Sequence, residues 1–488
     1  MRRTREEQLM SAHQSRLSSA DAAWLHMDRP TNLMVINSIL LFDEPLDWER
    51  LMEIVRDRLV APYPRFRQRV IEGGPLLGAA HWQDDPDFEL ARHMHRRGLP
   101  TPADTEALRS LAGDLASMPL DREKPLWEMY LIDGPGEGSA VIVRMHHCIA
   151  DGIALASVML SLTDSAPEGV SSAAAVARSS SARPGIRGAL GEAVAAALSP
   201  ALGVASTGAR VGGAVAREGL RVLARPPRAI ELLGGLNADG RALGKLLFTS
   251  ADQDSALRGE LGVARAVAWS RPLSLARVKD VAHAQGATVN DVLLGAVSGA
   301  LRGYLSARGE EPHAIRTLVP VNLREAQAAV PDELGNRFGL VFLTLPVDRS
   351  NRRERLHELK RRMDEIKDSP EGLVSYAVLE GVGLTPPQLE SRIVDIFTAK
   401  ATAVMTNVPG PREAVYLAGS PLRTVLVWAP TAGSVGMSVS IFSYNGEITV
   451  GLLVHEHLVP DPEAILERLH GELAAMARLK PAVDGRGK

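Results

Sequence analysis

The sequence predicts an α/β (α+β) protein built in two related halves, with mixed sheets and flanking helices. Three observations carry that expectation. The chain has 488 residues, more than one core usually organises. Strand-like and helix-like runs mix in both halves without strict β-α-β alternation, which argues against a doubly wound parallel sheet. After Asp164 the composition changes: "SAPEGVSSAAAVARSSSARPG" is rich in Ser and Ala and almost devoid of large apolar residues. The chain therefore divides into an N-terminal half, 1–165, a flexible linker with a helical crossover, 166–245, and a C-terminal half, 246–488.

The elements follow from local pattern. "SADAAWLHM" reads as a short helix, with Ser19 as cap and Ala23, Trp24 and Met27 at helical spacing. "LMVINSILLF" (Leu33–Phe42) is β-branched and apolar, a buried strand. "DWERLMEIVRDRLV" places Leu51, Ile54, Val55 and Leu59 on one helical face. "FRQRVIE" is a strand and "DTEALRSLAGDLASMPL" an amphipathic helix. "PLWEMYLIDG" and "SAVIVRMHH" are strands, the first ended by Asp133-Gly134. The Ala-rich run "IRGALGEAVAAALSPALGVASTGARVGGAVAREGLRVLARPP" reads as helices joining the halves, or as a weak membrane-surface element.

In the second half, "ARAVAWSRPLSLARVKDVAHAQGATVNDVLLGAVSGALRGYL" gives a strand, a helix, a Gly break and a second helix. "AIRTLVPVNLR" and "GLVFLTLPVD" are strands, and "RRERLHELKRRMDEIK" is a helix with a solvated, charged face. "ATAVMTNVPGP" is a strand ending in a stiff turn. "GSVGMSVSIFSYNGEITVGLLVHE" is a hairpin through Tyr444-Asn445-Gly446, and "DPEAILERLHGELAAMARL" closes the chain as a helix.

Composition excludes several classes. A net charge of −3 gives no nucleic-acid footprint. The single cysteine, Cys148, permits no internal disulfide and no Cys-based zinc site, and fits a reducing cytosol. The basic start lacks the apolar core of a secretory signal, and no run is long and apolar enough to span a membrane.

The densest chemistry lies in "RMHHCIADGIAL", Arg144–Leu155. Adjacent His146 and His147 on a strand point to opposite faces, so they do not share a metal ion; no metal site is expected. Two readings stay open. The histidines and Asp151 can form a packed turn, with Asp151 capping a helix that begins at Gly152. Alternatively, a neutral imidazole at a rigid strand end serves proton transfer, with Gly152 letting the chain turn closely behind it. Asn290 and Asp291 likewise suit plain helix N-terminal chemistry or a polar role at the site. Trp127 suits a core position or a channel wall.

These residues carry a resemblance. HHxxxDG resembles the signature of CoA-dependent acyltransferases related to the chloramphenicol acetyltransferases. Joined in order by "LSSADAAWLHMD" (Leu17–Asp28), "PLWEMYLIDG" (Pro125–Gly134), "TVNDVLLGAVSGALRGYL" (Thr288–Leu305), "PVNLR" (Pro320–Arg324), "LGNRFG" (Leu334–Gly339) and "TNVPGP" (Thr406–Pro411), it is similar to the bacterial wax ester synthase/diacylglycerol acyltransferase family, from about residue 17 to about 475.

The resemblance implies two chloramphenicol-acetyltransferase-like domains with an active-site tunnel at their interface. It implies direct transfer of a long-chain acyl group from acyl-CoA to a diacylglycerol or fatty alcohol hydroxyl, with no cofactor beyond these substrates. His147 would be the general base and His146 a support. Asp151 would pair with Arg324 as a structural ion pair. Asn290 would donate to the oxyanion or position the acceptor, and Asp291 would be its structural partner. Trp127, Asn407, Pro409 and Gly410 would border the substrate. A cytoplasmic enzyme results, with a peripheral contact to membrane or lipid droplets and no nucleic-acid partner. A condensation-type enzyme with a carrier-protein donor and a non-catalytic lipid-handling paralogue are the alternatives; PLW and NVPGP argue against the first, the intact HHxxxDG against the second.

Overall fold

The computed structural model describes residues 14–72, 80–134, 136, 138–169, 249–323, 334–367, 369–382 and 387–481. The linker and crossover expected over 166–245 fall outside these residues, apart from 166–169. The first part of the chain runs β1 (Gln14–Arg16), α1 (Ser19–His26), β2 (Val35–Phe42), α2 (Trp48–Val55), β3 (Gln68–Ile71), β4 (His81–Asp84), β5 (Met94–Gly98), α3 (Thr105–Ser117), β6 (Trp127–Asp133), β7 (Ser139–His146) and α4 (Gly152–Ser161). The second part runs β8 (Arg265–Trp269), β9 (Leu273–Ser274), α5 (Leu275–Ala284), α6 (Val289–Ala307), β10 (Ile315–Asn322), β11 (Phe338–Leu345), α7 (Arg352–Lys367), α8 (Glu371–Val382), α9 (Pro387–Thr398), β12 (Ala403–Pro409), β13 (Tyr416–Leu417), β14 (Ser420–Trp428), β15 (Met437–Tyr444), β16 (Glu447–His455) and α10 (Pro462–Met476).

Most helix starts obey capping chemistry. Asp47, Asp104 and Asp151 each accept a backbone N–H three residues on, opening α2, α3 and α4. The cap of α1 is Ser18 rather than Ser19: Ser18 is extended, and its Oγ accepts from the Asp21 amide at 3.0 Å. Strands β2 and β7 are buried along their whole length, which is why they read as continuous apolar runs. The hairpin β15–β16 turns through Asn445 and Gly446, both at positive φ (47° and 80°), the geometry a type I′ turn requires. On α7 the charges pair within the helix, as in Lys360–Asp364 and Arg362–Glu358, while Arg355 reaches in to Glu472 of α10.

Among the described residues two large mixed sheets result, with a small third one of β1, β4 and β3. The second sheet has the order β11-β10-β12-β15-β16-β8. The first has the order β13-β14-β2-β7-β6-β5, so β14 leaves its own half and pairs antiparallel with β2, Val427 opposite Ser38. No local signal in the sequence announces this crossing. The halves also share a core: Ile39, Leu41 and Ile142 of the first sheet pack with Val267, Trp269 and Leu453 of the second and with Trp428 of the crossing strand. Helix α3 lies close on β8, where a Cβ on Gly113 would approach the Arg265 carbonyl to 2.7 Å. The Arg265 side chain is buried among neutral acceptors, Thr31 O, Asn32 Oδ1 and Thr431 Oγ1, and burial pushes it down to about 10.

Helix α8 rests on β11 backbone to backbone where Gly372 meets Gly339. A Cβ on Gly339 would fall 1.8 Å from the Gly372 carbonyl oxygen, and backbone cannot swing aside as a side chain can. Gly339→Ala should therefore lower unfolding stability by about 1–3 kcal/mol. Gly98→Ala, where a Cβ meets nothing within 4 Å, should stay within about 0.5 kcal/mol of wild type. Denaturant unfolding of the two variants checks the contrast; equal effects would remove the close-contact explanation.

Candidate active site

Strand β7 ends at His146, whose amide donates to Leu126 O at 2.9 Å. His147 leaves the sheet while its own amide still donates to Met34 O at 2.7 Å, so the strand end fixes its backbone. The two imidazoles part, as alternation requires. His146 turns away from the cavity: its Nδ1 accepts from the Cys148 amide at 3.1 Å, and its Nε2 lies 3.8 Å from Asp28 Oδ2. It braces the turn and does not border the cavity. His147 faces the cavity. Its ring stacks on Trp24 at 4.1 Å and 21° and tilts against Phe338 at 5.5 Å. Burial pushes it down to about 4, partly offset by the Asp151 carboxylate, so it is neutral at pH 7. Among the described residues Nδ1 is buried with no hydrogen-bond partner, which leaves Nε2 as the nitrogen a ligand can reach.

Asp151 is a cap and a tie. Its Oδ1 accepts from the Ala154 amide at 2.9 Å, and its Oδ2 accepts from the Arg337 amide at 3.0 Å. The expected partner Arg324 lies outside the described residues. Gly152 corrects an expectation. It is the first residue of α4, takes no left-handed conformation, and a Cβ there would meet nothing within 4 Å. No tight turn needs it; its missing side chain leaves open space beside the cavity, whose lining includes it.

The ND pair divides. Asp291 forms a capping box with Thr288: its Oδ2 accepts from the Thr288 amide at 2.9 Å, and its amide donates to Thr288 Oγ1 at 3.2 Å. Asn290 does not border the cavity. Its Oδ1 accepts from Asn407 Nδ2 at 2.7 Å, and Asn407 does border it. The structure thus brings two of the expected residues together with their order reversed. Pro409 and Gly410 lie outside the lining; Gly410 is pinned by the hydrogen bond its amide donates to Ser443 O at 2.8 Å and by the closeness of Phe442. Trp127 is a core residue and does not border the cavity. It is fully buried, stacks on His93 at 4.9 Å and donates Nε1–H to Phe66 O at 2.8 Å.

The cavity has a volume of about 200 Å³ and is lined mostly by apolar side chains. His147, Asp151 and Gly152 form one side with Trp24 of α1 and Met27 just after it. Strands β10, β11 and β12 contribute Leu318, Phe342 and Thr406 among others; α8 and α9 contribute Leu379, Val394 and Phe397. Both parts of the chain therefore build one site.

Sequence reasoning missed the network behind His147. Asn336 of "LGNRFG" donates Nδ2–H to Asp21 Oδ1 and to the His147 carbonyl, both at 2.8 Å. Asp21 is fully buried and faces Arg65 at 3.1 Å, and Arg65 Nη1 donates to Ile149 O at 2.6 Å. An aspartate set between Leu17, Trp24 and Leu25 on a short apolar helix was the available signal. Gly335 lets the segment pass: its φ of 142° lies where glycine is favoured, and its carbonyl accepts the Asp151 amide at 3.3 Å.

Comparison with known proteins agrees with this architecture. A family described as the wax ester synthase/diacylglycerol acyltransferase catalytic domain matches residues 17–293, and the corresponding C-terminal domain matches residues 334–477. A protein of Mycobacterium tuberculosis named as a probable diacylglycerol O-acyltransferase is 29% identical over 96% of this chain and 98% of its own length. A solved wax ester synthase/diacylglycerol acyltransferase from Marinobacter aquaeolei VT8 superposes with a TM-score of 0.65 at 22% identity, covering 95% of this chain and 100% of that one. The first condensation domain of the CDA synthetase superposes with a TM-score of 0.58 at 16% identity, covering 98% and 99%, a likeness of fold alone.

The desolvated imidazole makes stability depend on acid. In the unfolded chain His147 takes up its proton near 6.5, in the folded chain only near 4. Between those values the unfolded state holds more protons, so the folded state loses stability as the pH falls from 6.5 towards 4 and keeps it above 6.5. At about 1.4 kcal/mol per unit, the window amounts to about 3 kcal/mol. Denaturant unfolding at pH 7 and pH 4.5 should show a steeper acid loss for wild type than for His147→Gln. Parallel losses would mean that the imidazole is not desolvated.

Proposed function

The chain belongs to the wax ester synthase/diacylglycerol acyltransferase family, and from that premise we propose how its site works. It is an O-acyltransferase that forms triacylglycerol or wax ester. Our reading of the finer step is direct transfer of a long-chain acyl group from acyl-CoA to the hydroxyl of diacylglycerol or a fatty alcohol, with His147 as general base. The observation that carries it is a neutral, buried imidazole presented at the side of an apolar cavity that both parts of the chain enclose.

In this reading Nε2 of His147 takes the hydroxyl proton as the oxygen attacks the thioester carbonyl. The carbonyl electrons move to oxygen, giving a tetrahedral oxyanion. Its collapse forms the ester and expels the CoA thiolate, which recovers the proton from the imidazolium. No acyl-enzyme forms. Cys148, the neighbouring thiol, is fully buried, and burial pushes its pKa far up, so it stays protonated and out of reach. In this reading the Asn407 amide, one of the polar groups bordering the cavity and hydrogen-bonded to Asn290, stabilises the developing charge. Asp151 acts through architecture, by holding α4 and the Arg337 backbone. Among the described residues no helix is long and apolar enough to cross a membrane. A water-insoluble product still has to leave into lipid, so we propose peripheral contact with a membrane or droplet surface.

Purified protein given palmitoyl-CoA with hexadecanol or dioleoylglycerol should release CoA, read with a thiol reagent; no release with either acceptor from folded protein would sink the reading. His147→Ala should lower turnover by about 10²–10⁴-fold while unfolding stays cooperative. Asn407→Ala should lower kcat by about 10²–10³-fold, and Asn290→Ala should lower it in the same direction through its neighbour. Unchanged kcat in Asn407→Ala would remove the oxyanion role.

A further inference from the structure

Two buried polar atoms beside the cavity have no hydrogen-bond partner among the described residues: Nδ1 of His147 and Oδ1 of Asn336. A buried donor or acceptor left unpaired is costly, and these two belong to side chains already in contact. A neutral imidazole carries its proton on one nitrogen, and the other nitrogen accepts. An amide oxygen only accepts. With the proton on Nδ1, the two atoms complete each other.

The Asn336 amide can sit only one way round. Its oxygen and nitrogen have nearly the same shape, so the neighbours decide which end points where. On one side both neighbours are acceptors: Asp21 Oδ1 and the His147 carbonyl, each 2.8 Å from Nδ2. A reversed amide would set its oxygen against a carboxylate and a carbonyl with no proton between them. Asp21 is held in turn by the Asn336 backbone amide at 3.1 Å and by Arg65 at 3.1 Å. Nδ2 therefore faces this pair, and Oδ1 is the end left for the ring. The influences on the imidazole point the same way. Burial is the largest and pushes its pKa down, and the Asp151 carboxylate opposes it. The carbonyl of His147 and the Asn336 side chain oppose it too, as acceptors beside a ring N–H do.

We propose that Asn336 is a positioning residue that selects the tautomer of His147: its Oδ1 accepts from Nδ1–H and so leaves the lone pair on Nε2, while Asp21 keeps the amide from turning over. The proposal rests on the general-base reading above. Which nitrogen of a histidine holds the proton is set by the hydrogen bond the other one makes. In the opposite tautomer Nε2 carries the proton and has no lone pair with which to take one from a hydroxyl. Asn336 does not border the cavity, so it acts through the ring and not on the substrate.

The test uses the full chain with its histidine rings labelled with a heavy nitrogen isotope, read by nuclear magnetic resonance at pH 7. Loss of signals in His147→Gln assigns the ring. Wild type should show a protonated Nδ1 and a bare Nε2. Asn336→Leu keeps the approximate shape and removes the acceptor. Its proton should move to Nε2 or divide between the nitrogens, and kcat should fall about 10²-fold with KM within about twofold. Asn336→Asp still presents an oxygen to Nδ1, ionised or not, and should keep the wild-type tautomer and at least ten times the kcat of Asn336→Leu. A proton on Nε2 in wild type overturns the proposal. So does a wild-type tautomer in folded Asn336→Leu, which would mean that the ring's own carbonyl suffices. If Asn336→Leu does not fold, the spectra of wild type and Asn336→Asp decide. Wild-type protein that releases no CoA from any acyl-CoA donor fails the acyltransferase reading, and the catalytic meaning of the tautomer with it; turnover with the proton on Nε2 fails the tautomer selection alone.

Discussion

A carboxylate shut away from water costs several kcal/mol unless charge and hydrogen bonds compensate it. Asp21 is such a group, and the way it is compensated organises the site. One oxygen faces Arg65, which also clamps the main chain just after the histidines. The other accepts two N–H groups of Asn336, whose amide passes on to the His147 carbonyl. Three distant segments therefore meet at one side chain: the first helix, the strand-end turn, and the "LGNRFG" segment of the second part. The same helix supplies Trp24, which stacks on the imidazole. Position, ring orientation and desolvation of His147 all depend on this helix being held down by Asp21.

Desolvation recurs where the two parts of the chain meet. His455 is buried between Gly262 O and Asn32 Oδ1 and is pushed down to about 4, by burial first and by Arg265 second. Arg265 itself finds only neutral acceptors. Buried polar groups of this kind add little net stability and much geometric definition when every partner is aligned. They tie the loop around Asn32 to Thr431, next to the cavity residues Pro430 and Ala432. The wall of the site is thus set by hydrogen bonds as well as by apolar packing.

What the sequence made legible was local. The turn at Asn445-Gly446, the capped helix at Asp151 and the buried strands β2 and β7 each announce themselves in a few residues. The HHxxxDG group also announced its geometry, since alternation along a strand sends one histidine inward. What stayed illegible was tertiary. "TVLVW" in β14 is an apolar run whose pattern does not say which sheet it joins. In "EGLVSYAVLEGV" the apolar residues surround the helix, so periodicity gave no face to recognise as α8. Trp127 suited a core position or a channel wall, and only the packing of His93 and Phe66 around it decides for the core. Asn407 and Asn290 were read singly, because a contact between a strand and a helix start leaves no trace in either segment.

The crossing strand has a consequence for how the molecule comes to exist. Along its length β2 pairs on one side with β7 and on the other with β14. During synthesis β7 follows β2 early, whereas β14 emerges only after residues near 420 have been made. Until then the first sheet carries an open edge of apolar residues, the kind of edge that recruits foreign strands. Its closure needs a contact of very long sequence separation, which is slow to form and exposed to aggregation meanwhile. Neither half is then an independent folding unit. When β14 arrives it completes the first sheet and brings Val427 to the wall of the cavity in the same act.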